Sequence, residues 1–354
     1  AALPAGYGAP PDVRGTVRPP RLTIQPLFVR RLVTHGAELY RARPAHQPKA
    51  DVLASLRSHA ESLGVETPPP EETGYPHPYQ YEITHIDYAP SMFAPVKEQL
   101  YRPLAQTPVT WVDTEEQLRQ LAGVLETCTE FAVDLEHHDY RSFQGFVCLM
   151  QVSTRKEDFL IDTLALRAHM PLLAPVFANP AIVKVFHGAD SDIAWLQRDF
   201  GIYVVNLFDT GQAARVLAYP SYGLAYLLQH FASVTADKKY QLADWRIRPL
   251  PEEMFRYARE DTHYLLYIHD RLRNELLAAG NEQQNLLREV LRRSEEVALK
   301  RYEKDLFNPD GYLPAYLRSG KQFSSAQIAV LKALYAWRDE LAREEDESVR
   351  YIMP

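Results

Sequence analysis

The chain has 354 residues, of which 46% are hydrophobic and 24% charged, enough for one large globular domain or two smaller ones. Its formal net charge of -7 argues against a uniformly basic shell, although a summed charge leaves room for a local basic groove. The two cysteines have no zinc-type spacing, and no leader pattern or run of about 18 apolar residues occurs, so we expect a soluble intracellular protein without disulfides or a membrane span.

The first hundred residues differ in composition from the rest, because well over half of the 26 prolines precede Pro108. The stretch from Ala1 to Pro26 is rich in Pro, Gly and Arg, which predicts an extended tail that becomes ordered only against a partner. Apolar residues at helical spacing predict a short helix from Asp51 to Leu63. We therefore assign residues 1–105 to a Pro-rich, partly extended N-terminal arm.

From residue 106 the pattern is that of a folded α/β domain. Thr114 and Gln117 have the spacing of a capping box, which predicts a helix that runs through Leu125. Helices are also expected after Arg167, before Gly201 and over much of the stretch up to residue 277. The apolar runs predict five strands: Phe131–Glu136, Phe146–Ser153, Asp158–Thr163, Ile182–Phe186 and Val204–Phe208. This order predicts a mixed sheet with helices on its faces, in a domain covering residues 106–281.

Two helical segments follow. A charged helix is predicted from Glu282 to Lys304, within a helical linker of residues 282–323. Ser324 and Gln327 form a second capping-box pattern and open an amphipathic helix in the segment 324–354.

The first candidate functional pair lies on the strand that ends at Glu136. Alternation in a strand places Asp134 and Glu136 on one face, roughly 6.6 Å apart along the chain, while Val133 and Leu135 face the opposite side. Two carboxylates on an apolar strand are costly unless a cation neutralises them, and Mg²⁺ or Mn²⁺ prefers such oxygen ligands. The alternative is a strand end at the surface, where both acids are solvated.

The second candidate pair is Tyr257 and Asp261. Their i, i+4 spacing places them on one helix face, and apolar Leu265 and Ile268 continue near that stripe, so we expect the face to point inward. An inward Asp needs a partner, which a metal ion held by Asp134 and Glu136 would supply. The alternative is a core tyrosine beside an Asp that pairs with an arginine.

A third acid, Asp192, follows the strand-breaking Gly188 at a strand-to-helix turn. Asp190, Ser191 and Asp192 are also residues that a helix N-terminus prefers for capping and for its dipole. One such acid can cap the helix while another faces a cleft, and the spacing alone leaves both readings open.

The order of these motifs resembles that of the DEDD exonuclease superfamily, in its tyrosine-containing branch. That order is Asp-x-Glu on a strand, then Asp at a turn, then Tyr-x-x-x-Asp on a later helix. From about His77 onward the chain resembles the catalytic 3′-to-5′ exoribonuclease subunit of the nuclear RNA exosome, a relative of bacterial RNase D. The segment 324–354 resembles the start of the helical HRDC module of that family. The flanking segments that carry the resemblance are Phe131–His138, Tyr140–Phe143, Cys148–Thr154, Val185–Asp190, Tyr240–Leu250 and Tyr257–Leu266.

The resemblance implies an RNase H-like fold and hydrolysis with two divalent ions, Mg²⁺ or Mn²⁺. The ligands would be Asp134, Glu136, Asp192 and Asp261, and Tyr257 would orient the attacking water. A phenol with an ordinary pKa near 10 suits that role better than the role of a strong base. The expected product is a nucleoside 5′-monophosphate released from the 3′ end.

The family's sandwich around the terminal nucleotide maps onto His137 and Trp195, the alternative for Trp195 being a core position. Asp244, Trp245 and Arg246, together with Arg248, are expected to line the cleft or to brace it. Stacking would make base binding tolerant of sequence. For the charged residues between Arg343 and Arg350 we expect a solvated face rather than contacts with the nuclease domain or RNA.

The partners that the resemblance implies are RNA with a free 3′ end, exosome core subunits and an RNA helicase, in the nucleus and nucleolus and away from membranes. The family's N-terminal partner-binding domain is not recognisable, so its small cofactor protein is not expected to bind. Two rival interpretations remain: a DNA-directed 3′–5′ exonuclease of the same superfamily, and a non-catalytic exosome scaffold. The presence of all four acids and the tyrosine argues against the scaffold.

Overall fold

A computed structural model describes residues 77–280 and 285–354 of the chain. Its strands are β1 (Val109–Val112), β2 (Glu130–His138), β3 (Phe146–Ser153), β4 (Asp158–Ile161), β5 (Val183–Phe186) and β6 (Leu207–Asp209). They form one sheet in the order β1-β4-β3-β2-β5-β6, in which β2 pairs antiparallel with β3 and parallel with β5. The predicted α/β fold with a mixed sheet is confirmed.

None of the helices of the described residues is both long and apolar enough to cross a membrane. In chain order they are α1 (Gln80–Thr84), α2 (Glu115–Glu126), α3 (Thr163–Leu166), α4 (Ala174–Phe177), α5 (Asp190–Phe200), α6 (Thr210–Val216), α7 (Leu224–Leu227), α8 (Glu252–His263), α9 (Leu265–Ala279), α10 (Leu286–Ala298), α11 (Leu313–Arg318), α12 (Ser325–Glu344) and α13 (Val349–Ile352).

Alternation along β2 divides its side chains between the two faces of the sheet. Val133 and Leu135 are buried in a core that includes apolar residues of α2 and α5. Ala132 belongs to a second core, with apolar residues of α9 and α10. Because Asp134 and Glu136 alternate with Val133 and Leu135, they share the face of Ala132. The hydrophobic pattern of one strand therefore directs two carboxylates to the face opposite α2 and α5.

Several element boundaries differ from the predicted ones. The capping boxes at Thr114 and Ser324 are both present. Strand β4 ends at Ile161 rather than Thr163, because Asp162 accepts hydrogen bonds from two backbone N–H groups and begins α3. Strand β6 begins at Leu207 rather than Val204.

The helix expected to continue beyond Asp261 is interrupted at Tyr264, and α9 is a separate helix. Leu265 and Ile268 belong to the α9 core, so the prediction that they extend the Asp261 stripe is wrong.

The described part of the N-terminal arm packs against the α/β domain. Asn274 on α9 pairs with both backbone groups of Val96, at 2.9 Å each, and Asp270 accepts a 3.0 Å bond from the N–H of Gln99. The predicted tail and the Asp51–Leu63 helix lie outside the described residues, as does the predicted start of the linker helix at Glu282. The predicted domain boundaries stay predictions.

The turn between α12 and α13 contacts the loop that follows β2. Glu347 forms an ion pair with Arg141, and Arg350 forms one with Asp139 at 2.8 Å. The carboxylate of Asp346 accepts a 3.0 Å bond from the N–H of Phe143. The expectation of a solvated charged face is therefore wrong for Asp346 and Glu347, whereas Arg350 pairs with Asp139 but stays 61% exposed.

Asp158 on β4 holds α8 in place and is 1% exposed. Its carboxylate accepts 2.8 Å and 3.1 Å bonds from Arg259 and lies 3.0 Å from Nδ1 of His263. Both partners are on α8, the helix that carries Tyr257 and Asp261. This buried network fixes the distance between α8 and the sheet.

We expect Asp158→Ala to lower the free energy of unfolding by about 3–5 kcal/mol, because it leaves a buried arginine without its counter-ion. Urea unfolding followed by circular dichroism measures the change. Arg119→Ala, which removes an exposed ion pair with Glu115, is the control and should leave the midpoint unchanged. Equal losses of unfolding free energy in the two variants would contradict the stabilising role of the Asp158 network.

Candidate active site

The first two site residues come from β2. Asp134 is opposite Gln151 of β3, and Glu136 is opposite Leu149, after which a bulge shifts the register between Glu136 and His137. Glu136 is 8% exposed, and its carboxylate accepts a 3.4 Å bond from the Gln151 amide. Glu136 is thus enclosed and Asp134 is partly buried, rather than both being solvated at a strand end.

Helix α8 supplies Tyr257 and Asp261, which are 8% and 7% exposed. The Tyr257 hydroxyl donates a hydrogen bond to the Asp261 carboxylate, as their i, i+4 spacing allows. Asp261 forms no ion pair with an arginine among the described residues, so the alternative reading of this acid is wrong.

Asp192 lies in the first turn of α5 and is 6% exposed. The helix is preceded by a turn at Gly188, whose φ of 69° favours glycine. Ala189 occupies the N-cap position without a side-chain cap, and the exposed Asp190 pairs with Lys300. The structure therefore does not use Asp192 as the cap, and Asp192 interacts electrostatically with Asp134 instead.

Three of the four acids form a compact oxygen cluster. Asp134, Glu136 and Asp261 each offer a carboxylate oxygen, and these oxygens lie within 4.8 Å of one another. Asp192 is outside that group of three. Within the described ranges, none of the four acids is paired with Lys, Arg or His. A dense, buried and uncompensated set of carboxylates suits hard divalent cations such as Mg²⁺ or Mn²⁺.

The electrostatics of the acids agree with this reading. Burial raises the pKa of Asp134 to about 7. Burial, followed by repulsion from Asp134, raises the pKa of Glu136, Asp192 and Asp261 well above the ordinary range. Without a cation, the site therefore favours bound protons near neutral pH.

Tyr257 keeps its proton at any physiological pH. Burial, followed by the negative charge of Asp261, raises the pKa of its hydroxyl far above the ordinary value of 10. The phenol is therefore a hydrogen-bond donor or a neutral orienting group, and not a base.

The sandwich expected from His137 and Trp195 is not formed in this structure. The two rings stack directly on each other, with centroids 4.2 Å apart and planes 3° apart. A base held between two rings needs about 7 Å, twice the roughly 3.4 Å spacing of stacked bases. A base can enter only if the rings separate, or it can stack on an outer face of the pair. Contact between these rings and a nucleotide stays a prediction.

The predicted substrate contact through Trp245 is wrong for this structure, because its side chain is completely buried in a core cluster with Tyr257. Asp244 and Arg246 pair with each other at 2.8 Å, and Asp244 lies 3.8 Å from Nδ1 of His138. Two nitrogens of Arg248 donate hydrogen bonds to Asp162, at 2.7 Å and 2.9 Å, and so brace the loop that carries Trp245. Substrate contacts by Asp244 and Arg246 stay predictions.

Two supporting residues were missed from the sequence. Asp209, completely buried, accepts bonds from the N–H groups of Gly188 and Ala189 at 2.9 Å, and also caps α6. Gln151 holds Glu136. The sequence offered one signal for each residue. Asp209 directly follows a predicted strand and precedes a helix, and Gln151 is a lone amide in an apolar strand. Neither signal says which distant residue is contacted.

A mixed sheet that carries this acid set, with a Tyr-x-x-x-Asp helix packed on it, defines the class of DEDD 3′–5′ exonucleases. A family model described as 3′-5′ exonuclease matches residues 109–277, and one described as HRDC domain matches residues 327–354.

Within that class, the chain belongs to the RRP6 family of exosome exonucleases. It is 47% identical over 336 residues to Exosome complex component 10 of Homo sapiens, covering 95% of this chain and 38% of that protein. It is 46% identical over 313 residues to Exosome complex exonuclease RRP6 of Saccharomyces cerevisiae, and the match covers 85% of this chain and 42% of that protein. The crystal structure of the catalytic core of RRP6 from Trypanosoma brucei is 48% identical in sequence, with a TM-score of 0.75. The match covers 79% of this chain and 77% of that one. The chain thus spans well under half the length of these two curated relatives.

The raised pKa values predict how the metal-free protein responds to pH. Folded carboxylates with raised pKa values bind more protons than unfolded ones, so their contribution to stability is lost as pH rises from about 4 through about 7. We expect the melting temperature in EDTA to fall between pH 5 and pH 8, and Mg²⁺ to stabilise the protein more at pH 8.

Asp134→Asn should flatten this dependence and stabilise the metal-free protein at pH 8 by on the order of 2 kcal/mol. Glu126→Gln, an exposed change on α2, is the control. If Asp134→Asn melts at a lower temperature than the parent protein in EDTA at pH 8, the charge of Asp134 does not destabilise the metal-free protein, which would contradict its repulsion of the other three acids.

Proposed function

We propose that this chain is a metal-dependent 3′-to-5′ exoribonuclease that releases nucleoside 5′-monophosphates from RNA with a free 3′ end. The observation that carries the proposal is the set of three carboxylates from β2 and α8, whose oxygens lie within 4.8 Å of one another and which have no described cationic partner; Glu136 and Asp261 are buried and Asp134 is partly buried. Membership of a family whose yeast relative is named an exosome exonuclease supports the same reaction.

Two divalent ions, Mg²⁺ or Mn²⁺, fit the donor set. Asp134, Glu136 and Asp261 would hold one ion, and Asp192 with Asp134 would hold the second, consistent with the repulsion between those two carboxylates. When bound, the ions would neutralise the acids, supply an activated water and stabilise charge on the scissile phosphate.

The protein's own groups then have separate tasks. Tyr257 keeps its phenolic proton and donates to Asp261, so it orients groups in the site without accepting a proton. Gln151 holds the Glu136 carboxylate in place. The Asp158 network and the Asp209 cap set the positions of α8 and of the turn before α5. The catalytic geometry therefore rests on elements of the sheet and its helices rather than on loops.

We also propose that the chain acts with exosome core subunits and an RNA helicase in nuclear and nucleolar RNA processing and decay. The names of the human and yeast relatives, which contain the words exosome complex, support association with an exosome. The helicase and the localisation rest on family resemblance. Pull-down with purified exosome core and imaging of the tagged full-length protein test them.

Asp134→Asn is expected to reduce mononucleotide release by at least about 1000-fold while RNA binding changes little, because the amide preserves shape and removes a metal ligand. The measurement uses a 5′-labelled RNA with a 3′-hydroxyl, with Mg²⁺ and with EDTA, and fluorescence anisotropy for binding. The exposed acid variant Glu126→Gln should match the parent chain. Full activity in Asp134→Asn would overturn the metal assignment.

Matched RNA and DNA strands of one sequence separate this function from its rivals. We expect faster trimming of RNA, since a 2′-hydroxyl offers contacts that DNA lacks. Faster trimming of DNA would favour the DNA-directed exonuclease. Absence of metal-dependent trimming of either strand would favour the scaffold.

A further inference from the structure

The ring of His137 is held on three sides. One face stacks on Trp195. One edge lies against Gly145, where an added Cβ would approach within 2.3 Å of Cε1 and 2.5 Å of Nε2. Gly145 also has a φ of 69°, a conformation that favours glycine, and its N–H donates to Ser142. The third side is occupied by Arg198, whose terminal nitrogen lies 3.1 Å from Nε2 of His137.

Arg198 is itself fixed. Its side chain is 5% exposed, and its guanidinium bonds Asp199 at 2.8 Å and 3.0 Å and the carbonyl of Gln144 at 2.6 Å. Asp199 accepts a 2.7 Å bond from the N–H of Val147 on β3. The guanidinium therefore cannot move independently of the sheet.

A guanidinium carries five N–H donors and no acceptor. A bond from Arg198 to Nε2 therefore requires a lone pair on Nε2, which places the single proton of a neutral imidazole on Nδ1. Nδ1 makes no hydrogen bond to any described residue. His137 thus presents an uncommitted N–H donor next to Glu136 and beside the Trp195 ring.

We propose that Arg198 is a positioning residue that fixes both the plane and the Nδ1–H tautomer of His137, so that the ring offers a donor to an acceptor atom of the terminal nucleotide. The proposal rests on the proposed function and on the predicted contact between His137 and that nucleotide. Arg198 does not touch the reacting atoms, and it acts through His137. Loss of Arg198 leaves the ring free to exchange its proton between the two nitrogens.

Arg167 offers a matched control. It binds the same Asp199 carboxylate at 3.2 Å but has no contact with His137 among the described residues. A variant of either arginine removes one partner of Asp199, and only the Arg198 variant removes the bond to the imidazole. The difference between the two variants isolates the effect on His137.

Kinetics on a short 3′-hydroxyl RNA with Mg²⁺ test the positioning role. We expect Arg198→Met to raise KM about tenfold or more and to change kcat by less than about threefold, as for loss of a partner that orients a ligating histidine. Arg198→Lys, which keeps a donor, should recover part of the loss, and Arg167→Met should leave KM near the parent value. Equal effects of Arg198→Met and Arg167→Met, or a fall in kcat alone, would overturn the proposal.

A second measurement does not depend on catalysis. Nitrogen-15 NMR of histidine-labelled, metal-free protein reports the tautomer of His137, which is assigned from the signal missing in His137→Gln. We expect a proton on Nδ1 and a bare Nε2 in the parent chain, and a mixture of tautomers in Arg198→Met. A proton on Nε2 in the parent chain would overturn the proposal. A parent chain that fails to trim RNA would contradict the proposed function. The tautomer measurement would then still decide whether Arg198 fixes the proton of His137 on Nδ1.

Discussion

Mutual repulsion among buried carboxylates is the constraint around which the structure is organised. None of the four acids has a cationic partner in the described part of the chain. Burial raises the pKa of Asp134, and burial followed by repulsion from Asp134 raises the pKa values of Glu136, Asp192 and Asp261. Such an arrangement opposes folding in the absence of a counter-ion. The rest of the domain must therefore supply the packing that keeps these side chains together.

That packing comes from buried polar networks as much as from the apolar cores. Asp158 joins β4 to α8 through Arg259 and His263, so the helix that carries Asp261 cannot drift from the strand that carries Asp134. Asp209 joins the end of β6 to the turn before α5 and in this way places Asp192. Each network is satisfied by charge-assisted bonds, and each rigidifies one of the elements that converge on the acids.

Packing against distant residues also positions the residues beside the acids. His137 follows Glu136 directly, and its ring is bounded by Trp195, Gly145 and Arg198. The loop beyond it is contacted by the α12–α13 turn, through Glu347 and Asp346. The HRDC-like segment therefore contacts the loop that leads away from β2. The site and the C-terminal segment share one short stretch of chain.

The sequence by itself determined the alternation of Asp134 and Glu136 with apolar neighbours, the i, i+4 pairing of Tyr257 with Asp261 and the two capping boxes. These follow from backbone periodicity and local hydrogen bonding, which depend on neighbours only a few residues away. Resemblance to a known family then supplied the order of the motifs and the place of Asp192.

Tertiary structure alone decided what lies across from each of these residues. It buried Trp245, which was expected either to line the cleft or to brace it, and it closed His137 against Trp195. It also brought Arg198 to the imidazole and Asp209 to the turn before α5. The contacts of Asp209 with Ala189 and of Arg198 with His137 join residues separated by 20 and 61 positions, and such partners are set by how whole helices and strands pack. A local pattern carries no information about the opposite wall of a site, because that wall is built by another part of the chain.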